Sequence, residues 1–406
     1  MSLNKNPISS VACKLFMFLF VFTVNLTVVA KPISEDSLSK DTTFLKIGFV
    51  GDIMAHQTQL NAQKKSDGSY DFNDNYYWMA PFFKENDIMI GNVETTFAGK
   101  KLGFSAYPRF NTPDELANAL SNAGFNVVST ANNHMYDTGG DGLYRTLKVL
   151  RDEGLNVTGS RMNTDEKRYV IKEVNGVRAG ILAYTYESGR TENGVITING
   201  IHIKHADTSN INTFDPWNLA PGVQEMRTEI KTMKELDSVD LTIAVMHWGD
   251  EYKTLPNDYQ KALADSLNKL KFDLVLGSHP HVVQPMDVIY DSTENHKTYV
   301  LYSAGNFISN QRYETLKDYN TEDGVYVTIE CKKVGDNPVV ISKIEHHPTW
   351  VNRFKENGKY NYQIVPVNHI LSQEDLKEQF TPQQLERIKA SQERTTETLY
   401  KFKTGY

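Results

Sequence analysis

The chain of 406 residues has only two cysteines, Cys13 and Cys331. If a leader containing Cys13 is removed, the single remaining cysteine cannot form an internal disulfide. The chain also has fewer basic than acidic residues. There are 43 Lys and Arg against 50 Asp and Glu, which gives a formal charge of −7. This balance argues against electrostatic attraction to nucleic acid, and no nucleic-acid partner is expected. The 40% hydrophobic and 23% charged residues exclude a disordered chain, collagen or a coiled coil.

The first 30 residues have the pattern of a secretory signal peptide. Lys5 and Lys14 precede an apolar run that starts at Leu15 and ends in small residues at Ala30. Cleavage after Ala30 would leave 41 basic and 50 acidic residues, a formal charge of −9. An uncleaved anchor is the alternative, although the run is shorter than the roughly 18 to 20 apolar residues that span a bilayer. We therefore expect an exported protein of the periplasm, cell envelope or exterior.

The remaining chain lacks repeats, Pro-rich linkers and low-complexity tracts. We expect a polar lead-in at 31–45, one domain at 46–370 and a C-terminal helical tail at 371–406. Short apolar runs that alternate with helical patterns predict an α/β fold with a largely parallel sheet. The predicted strands are KIGFVG (46–51), DIMIG (87–91), NVVST (126–130), GILAYT (180–185), LTIAVM (241–246), DLVLG (273–277) and YVLYS (299–303).

Turn and cap signals refine this pattern. Asn175-Gly176 predicts a hairpin between residues 169–174 and the GILAYT strand. Thr112 is expected to cap a helix that ends at Gly124. Helical spacing of apolar residues predicts further helices near 224–236, 259–270 and 381–399.

Polar residues follow five of the predicted strands at the point where each strand ends. They are Asp52, Asn92, Glu94, Asn132, Asn133, His134, His247, His279 and His281. Because ligands of open α/β sheets bind at the carboxyl ends of the strands, we expect these side chains to converge. Carboxylate, amide and imidazole ligands together suit Mn, Fe, Zn or Co. Two such ions about 3.5 to 4 Å apart, bridged by a carboxylate, would activate a hydroxide at neutral pH.

Six segments carry a resemblance to a known family. They are GDIMAH, NVETTF, ANNHMYDTGGDGL, MHWGDEY, GSHPHVVQP and LYSAGNF, in this order between Lys46 and His369. This set resembles the poly-γ-glutamate capsule synthesis (CapA-type) family of the calcineurin-like metallophosphoesterase superfamily. The resemblance implies a sandwich of two mixed β-sheets flanked by helices, with a metal site at the strand ends.

The resemblance also implies roles for the matching residues. The implied ligands of metal one are Asp52 and His281, those of metal two are Asn133, His247 and His279, and Glu94 takes the bridging position. His134 matches the catalytic histidine, which protonates a leaving group or steadies an oxyanion. Where the superfamily pattern has Asp-x-His, this chain has Asp52-Ile53-Met54. The sequence therefore does not decide whether the site binds one divalent ion or two.

Further polar residues near these motifs have weaker assignments. His56, Asn92, Asp137, Asp250 and Glu251 are expected to be additional ligands or to orient the ligands. Trp248 and Asn306 are expected to line the substrate cleft.

The expected function is that of an exported metal-dependent hydrolase that acts on a cell-envelope polymer or its linkage through a metal-activated hydroxide. Its expected partners are an anionic envelope polymer, or a small phosphoester or amide substrate, together with membrane-bound capsule assembly proteins. Two alternatives remain at this point. One is a plain dinuclear metallophosphoesterase for a small or lipid-linked phosphoester, and the other is a non-catalytic polymer-binding component of the envelope.

Overall fold

The computed structural model of the chain describes residues 42–402. The predicted signal peptide, residues 1–30, lies outside the described residues. The predicted polar lead-in, residues 31–45, overlaps them only at its end, where the first strand already begins at Thr42. No helix in the described part of the chain is long and apolar enough to cross a membrane.

The first of two large sheets has eight strands, numbered here in chain order over the whole protein. They are β1 (Thr42–Ile53), β2 (Ile88–Val93), β3 (Val127–Ser129), β4 (Asn156–Thr158), β15 (Asn306–Ile308), β16 (Asp323–Val334), β17 (Val340–Glu356) and β18 (Lys359–Pro366). Their order is β18-β17-β16-β1-β2-β3-β4, and β15 pairs with β1. Strands β1 to β4 run parallel to one another, whereas β16, β17 and β18 add antiparallel pairs, so the sheet is mixed.

The second large sheet has seven strands. They are β5 (Tyr169–Val174), β6 (Val177–Tyr186), β10 (Thr213–Phe214), β11 (Leu241–His247), β12 (Leu274–Ser278), β13 (Val283–Asp291) and β14 (His296–Ala304). Their order is β10-β6-β11-β12-β14-β13, with β5 paired to β6. A small third sheet contains β7 (Gly189–Arg190), β8 (Ile196–Ile198) and β9 (Ile201–His202).

Ten α-helices connect and cover the strands in the described residues. They are α1 (Gln57–Gln63), α2 (Ala80–Phe83), α3 (Glu115–Ala123), α4 (Gly139–Asp152), α5 (Leu219–Glu235), α6 (Asp258–Lys269), α7 (Tyr313–Leu316), α8 (Val367–Ser372), α9 (Glu374–Lys377) and α10 (Pro382–Leu399). Helices α1, α3 and α4 pack on the outer face of the first sheet, and α5 and α6 on that of the second.

Strand alternation explains how the two large sheets share a core. In β1, Leu45, Ile47 and Phe49 point to the inner side, where they belong to the same core cluster as Ile243 and Val245 of β11. The residues between them face the outer helical layers, because successive side chains of a strand point to opposite faces. The expected sandwich of two mixed sheets flanked by helices is therefore confirmed.

Each of the seven predicted strands is present, and so is the predicted hairpin. Strands β5 and β6 are joined by Asn175 and Gly176, whose φ angles of 51° and 78° are those of a type I′ turn. Strand β16 pairs antiparallel with β1 and contains the buried Cys331.

The predicted helices are present, but the expected cap of α3 is wrong. The helix begins at Glu115, and the Thr112 hydroxyl lies 2.7 Å from the Thr95 hydroxyl instead of capping it. A tertiary partner has replaced the local one. The end is as predicted, since Gly124 adopts the left-handed conformation at φ 112°.

Helix α10, with 18 residues, is the main element of the predicted C-terminal tail. Thr381 caps it by accepting a hydrogen bond from the Gln384 backbone N–H, and the Gln384 side chain bonds back. Its residues Ile388 and Leu399 are buried, and Leu399 joins the core between the two sheets. This helix is therefore part of the packed structure rather than an extension from it.

One glycine determines how the site is assembled. A Cβ atom on Gly51 would lie 2.0 Å from the carbonyl oxygen of Gly305. Because Gly51 lacks that atom, β15 can pair with β1, and Asp52 lies opposite Asn306.

Candidate metal centre

The strand-end residues converge as the sequence predicts. Asp52 lies near the end of β1, Glu94 directly follows β2, and His247 is the last residue of β11. The turn after β12 adds His279 and His281, and the loop after β3 adds Asn133 and His134. All seven side chains belong to buried residues.

Five of these residues form two groups that could each hold a metal ion. Glu94, His247 and His279 form one group, and Asp52, Glu94 and His281 form the other. Within each group, one ligand atom per residue lies within 4.8 Å of the others. Glu94 belongs to both groups, so its carboxylate could contribute to either one. Asn133 adjoins the first group, since its Oδ1 lies 2.8 Å from the His247 Nε2.

Glu94 provides the test of whether these residues fit a cation. Its carboxylate is fully buried, and neither oxygen has a hydrogen-bond partner among the described residues. The His279 Nδ1 is buried and unpartnered in the same way. A buried polar group without a partner is costly, and coordination of a metal ion is one way to compensate it. The donor set therefore fits one or two divalent ions.

The pKa values of the Asp52 and Glu94 carboxyl groups are shifted in opposite directions. Burial alone would raise the pKa of Asp52, but His281, His247 and the Asn92 amide outweigh burial and hold that pKa well below its usual range. Burial raises the pKa of Glu94 well above its usual range, and the nearby Asp52 charge raises it further. A divalent ion beside Glu94 would favour its ionised form.

Burial holds His247 and His279 neutral, which is the form of histidine that binds metals. Burial lowers the pKa of His247 to about 3, against the smaller opposing effect of Asp52. Burial lowers the pKa of His279 well below its usual range, and the neighbouring His247 and His281 lower it further. His279 and His281 have φ angles of 100° and 57°. Such strained conformations in non-glycine residues are concentrated at functional sites.

Amide side chains orient the ligands. The Asn92 Nδ2 donates to the Asp52 Oδ1 over 2.8 Å and lies 3.2 Å from the His247 Nδ1. Asn132, for which no separate role was predicted, donates to the Asn92 Oδ1 and the Val93 carbonyl. Its position between a strand end and Asn133 is the signal that could have identified this role.

His134 and Asp137 form a buried pair beside the two groups. The Nδ1 of His134 lies 2.8 Å from the Asp137 Oδ2, which also accepts the Phe110 N–H over 2.7 Å. The carboxylate therefore fixes the His134 ring and leaves Nε2 as the nitrogen that can exchange a proton. Asn199, at the β8–β9 turn, places its Nδ2 3.5 Å from the His134 Nδ1, so the small third sheet borders this histidine.

The chain matches the family described as "Bacterial capsule synthesis protein PGA_cap" over residues 46–311, about two thirds of its length. The chain belongs to this family. The matched region contains all six predicted metal ligands and His134.

Two relatives of known name are similar to this PGA_cap chain. The PGA biosynthesis protein CapA of Bacillus subtilis (strain 168) is 28% identical over 338 residues, which cover 82% of this chain and 78% of that protein. The capsule biosynthesis protein CapA of Bacillus anthracis is 29% identical over 287 residues, which cover 68% of this chain and 62% of that protein. A hypothetical protein from Thermus thermophilus has a solved structure with 15% identity and a TM-score of 0.41, covering 75% of this chain and 98% of its own.

The expectation that Trp248 lines the substrate cleft is wrong. Strand alternation points His247 toward the site and Trp248 to the opposite face of the second sheet. There Trp248 is fully buried, stacks on Tyr302 and donates its Nε1 hydrogen to the Tyr302 carbonyl over 2.8 Å. It is a core residue of this PGA_cap structure.

Asn306 is also not a lining residue, because it is fully buried. Its Oδ1 lies 3.1 Å from the His281 Nδ1, and its amide donates to the His281 and Thr321 carbonyls. Its effect is to fix the orientation of His281.

The other residues with weaker assignments, His56, Asp250 and Glu251, belong to neither metal-binding group. The Nδ1 of His56 accepts the Asn310 N–H over 3.3 Å. Asp250 and Glu251 are exposed, and Asp250 accepts a hydrogen bond from Asn257. Tyr186, which the sequence analysis did not single out, lies with its ring centroid 4.7 Å from that of His279. Its place at the end of β6 obeys the same strand-end rule as the predicted ligands.

Proposed function

We propose that this chain is an exported, metal-dependent hydrolase that acts in the synthesis, release or attachment of a capsular polymer of the poly-γ-glutamate class. The single observation that carries the hydrolase assignment is the placement of Glu94 in both metal-binding groups. The relatives named as CapA support the link to the capsule.

The proposed chemistry needs a cation at the site. Divalent ions bound by the two groups would polarise the scissile carbonyl or phosphoryl oxygen and activate water. The chain itself supplies the remaining functions. Asn92, Asn132 and Asn306 hold the ligands in place, and burial of the site excludes bulk water.

His134 is the residue proposed to move a proton. Its Nδ1 is bonded to Asp137, so Nε2 would protonate the leaving group as the bond breaks. Asp137 stabilises the charged imidazolium and keeps the ring in one orientation, while Phe110 packs edge-on against it at 4.7 Å between centroids.

The test is turnover by the purified chain with Mn²⁺ on three substrates: poly-γ-glutamate, a chromogenic amide of γ-glutamate and bis-p-nitrophenyl phosphate. The proposal predicts cleavage of the polymer or the amide, loss on chelation, and loss in His247→Ala. Asp336→Asn, an exposed carboxylate in the β16–β17 turn, is the matched control and should keep full activity.

Two other results would contradict the proposal. Turnover of the phosphodiester alone would favour a plain phosphoesterase. Retention of polymer that survives chelation, without any cleavage, would favour a binding component of the envelope. In either case the assignment as a polymer-directed hydrolase is wrong.

A further inference from the structure

A large open pocket lies beside the metal centre. Its volume is about 570 Å³, and Tyr186 connects it to the site because this ring lines the pocket and also contacts His247 and His279. The pocket also includes Gly249, two residues after His247. The remaining lining residues are Ser188, Pro216, Trp217, Asp250, Asn257, Asp258 and Tyr259.

The walls of this pocket combine aromatic rings with acidic groups. Tyr186, Trp217 and Tyr259 supply three rings, and Trp217 is 74% exposed, which is unusual for so large an apolar side chain. Asp250 and Asp258 supply carboxylates. Among the described residues that line the pocket, none is Lys, Arg or His.

Neighbouring groups do not reverse this charge. Asp258 faces Lys261 across 3.9 Å on the surface of α6, whereas the hydrogen bond that Asp250 accepts comes from the neutral Asn257 amide. Glu251, next in the chain, is a further exposed acidic residue. Asp250 is therefore the carboxylate best placed to attract a cation into the pocket.

From this juxtaposition we propose that the pocket binds an ammonium group of the substrate or of an acceptor molecule. Aromatic faces attract ammonium ions through their quadrupole, and a carboxylate adds a charge-assisted hydrogen bond. A carboxylate-bearing segment would be repelled by Asp250 and Asp258. The ammonium group would lie beside the metal centre, and its link to a substrate rests on the proposed function.

Trp217 provides a direct readout. Propylammonium is titrated at pH 7 into the purified full chain while tryptophan fluorescence is followed, with glucose as the neutral probe and propionate as the anionic probe. The proposal predicts a saturable change with propylammonium that is absent in Trp217→Phe, and weaker or no response to the other two probes.

Asp250→Asn should weaken propylammonium binding about tenfold or more, since it removes a charge-assisted hydrogen bond. Asp336→Asn should bind as the unchanged chain does. Equal binding by both variants, tighter binding of glucose or propionate, or no saturable response to propylammonium would overturn the proposal.

The binding readout does not depend on turnover. Hydrolysis without ammonium binding would overturn the pocket assignment and leave the proposed function intact. Ammonium binding without hydrolysis would support the pocket and contradict the proposed function.

Discussion

The Nδ1 of His134 lies 2.8 Å from the Oδ2 of Asp137, and both side chains are almost completely buried. Only two residues separate them in sequence, and the loop before α4 folds so that the carboxylate reaches the ring. In the proposed mechanism this pair moves the proton, and neither residue belongs to a metal-binding group.

Asp137→Asn should lower kcat by about 10² to 10⁴, because the amide neither stabilises the imidazolium nor fixes the same tautomer. KM and the metal content should change little, since Asp137 belongs to neither metal-binding group. Steady-state kinetics and elemental analysis measure the two effects. Asp141→Asn, an exposed carboxylate in α4, is the matched control. An equal loss in both variants, or loss of metal in Asp137→Asn, would contradict the assignment.

Trp248→Phe should reduce the free energy of unfolding by about 1 to 3 kcal/mol, because the buried Tyr302 carbonyl would lose its donor. Metal content and substrate affinity should stay unchanged, since this ring faces away from the site. Urea unfolding and elemental analysis check both statements. A selective rise in KM without loss of stability would contradict this assignment and indicate that Trp248 lines the substrate cleft.

Acid should destabilise the protein in part through His346. Burial and, to a smaller extent, the neighbouring His347 together lower the pKa of His346 to about 4. Because the unfolded value is near 6.5, the unfolded chain binds the proton first. The stability contributed by neutral His346 is therefore present above about pH 6.5 and is lost as the pH falls toward 4.

His346→Gln should make the decrease in urea midpoint between pH 6.5 and pH 4.5 shallower than in the unchanged chain. His202→Gln, which alters an exposed histidine in β9, should leave that decrease as it is. Identical slopes for the two variants would show that His346 does not titrate with folding.

The sequence predicts the parts of this structure that depend on local pattern. Apolar runs place Asp52, Glu94 and His247 at strand ends, and parallel pairing then brings them to one edge of the structure. The opposite faces of His247 and Trp248 were also predictable, since the parity of Leu241, Ile243 and Val245 determines them.

Long-range partners were not predictable in this way. The His281–Asn306 contact depends on β15 pairing with β1, which the close approach of Gly51 and Gly305 permits. Thr112 likewise bonds Thr95, so a strong capping signal did not produce a cap. In both cases a tertiary contact outweighs what neighbouring residues indicate.

In the proposed function, Glu94 contributes a ligand to both metal-binding groups. The most direct measurement is the number of Mn, Fe, Zn and Co ions bound per purified chain, in the unchanged protein and in Glu94→Gln. We predict about two ions per chain in the unchanged protein and a loss of at least one in Glu94→Gln, with Asp336→Asn unchanged as the exposed control. No bound ion after metal supplementation, or an equal count in Glu94→Gln and the unchanged chain, would contradict the claim.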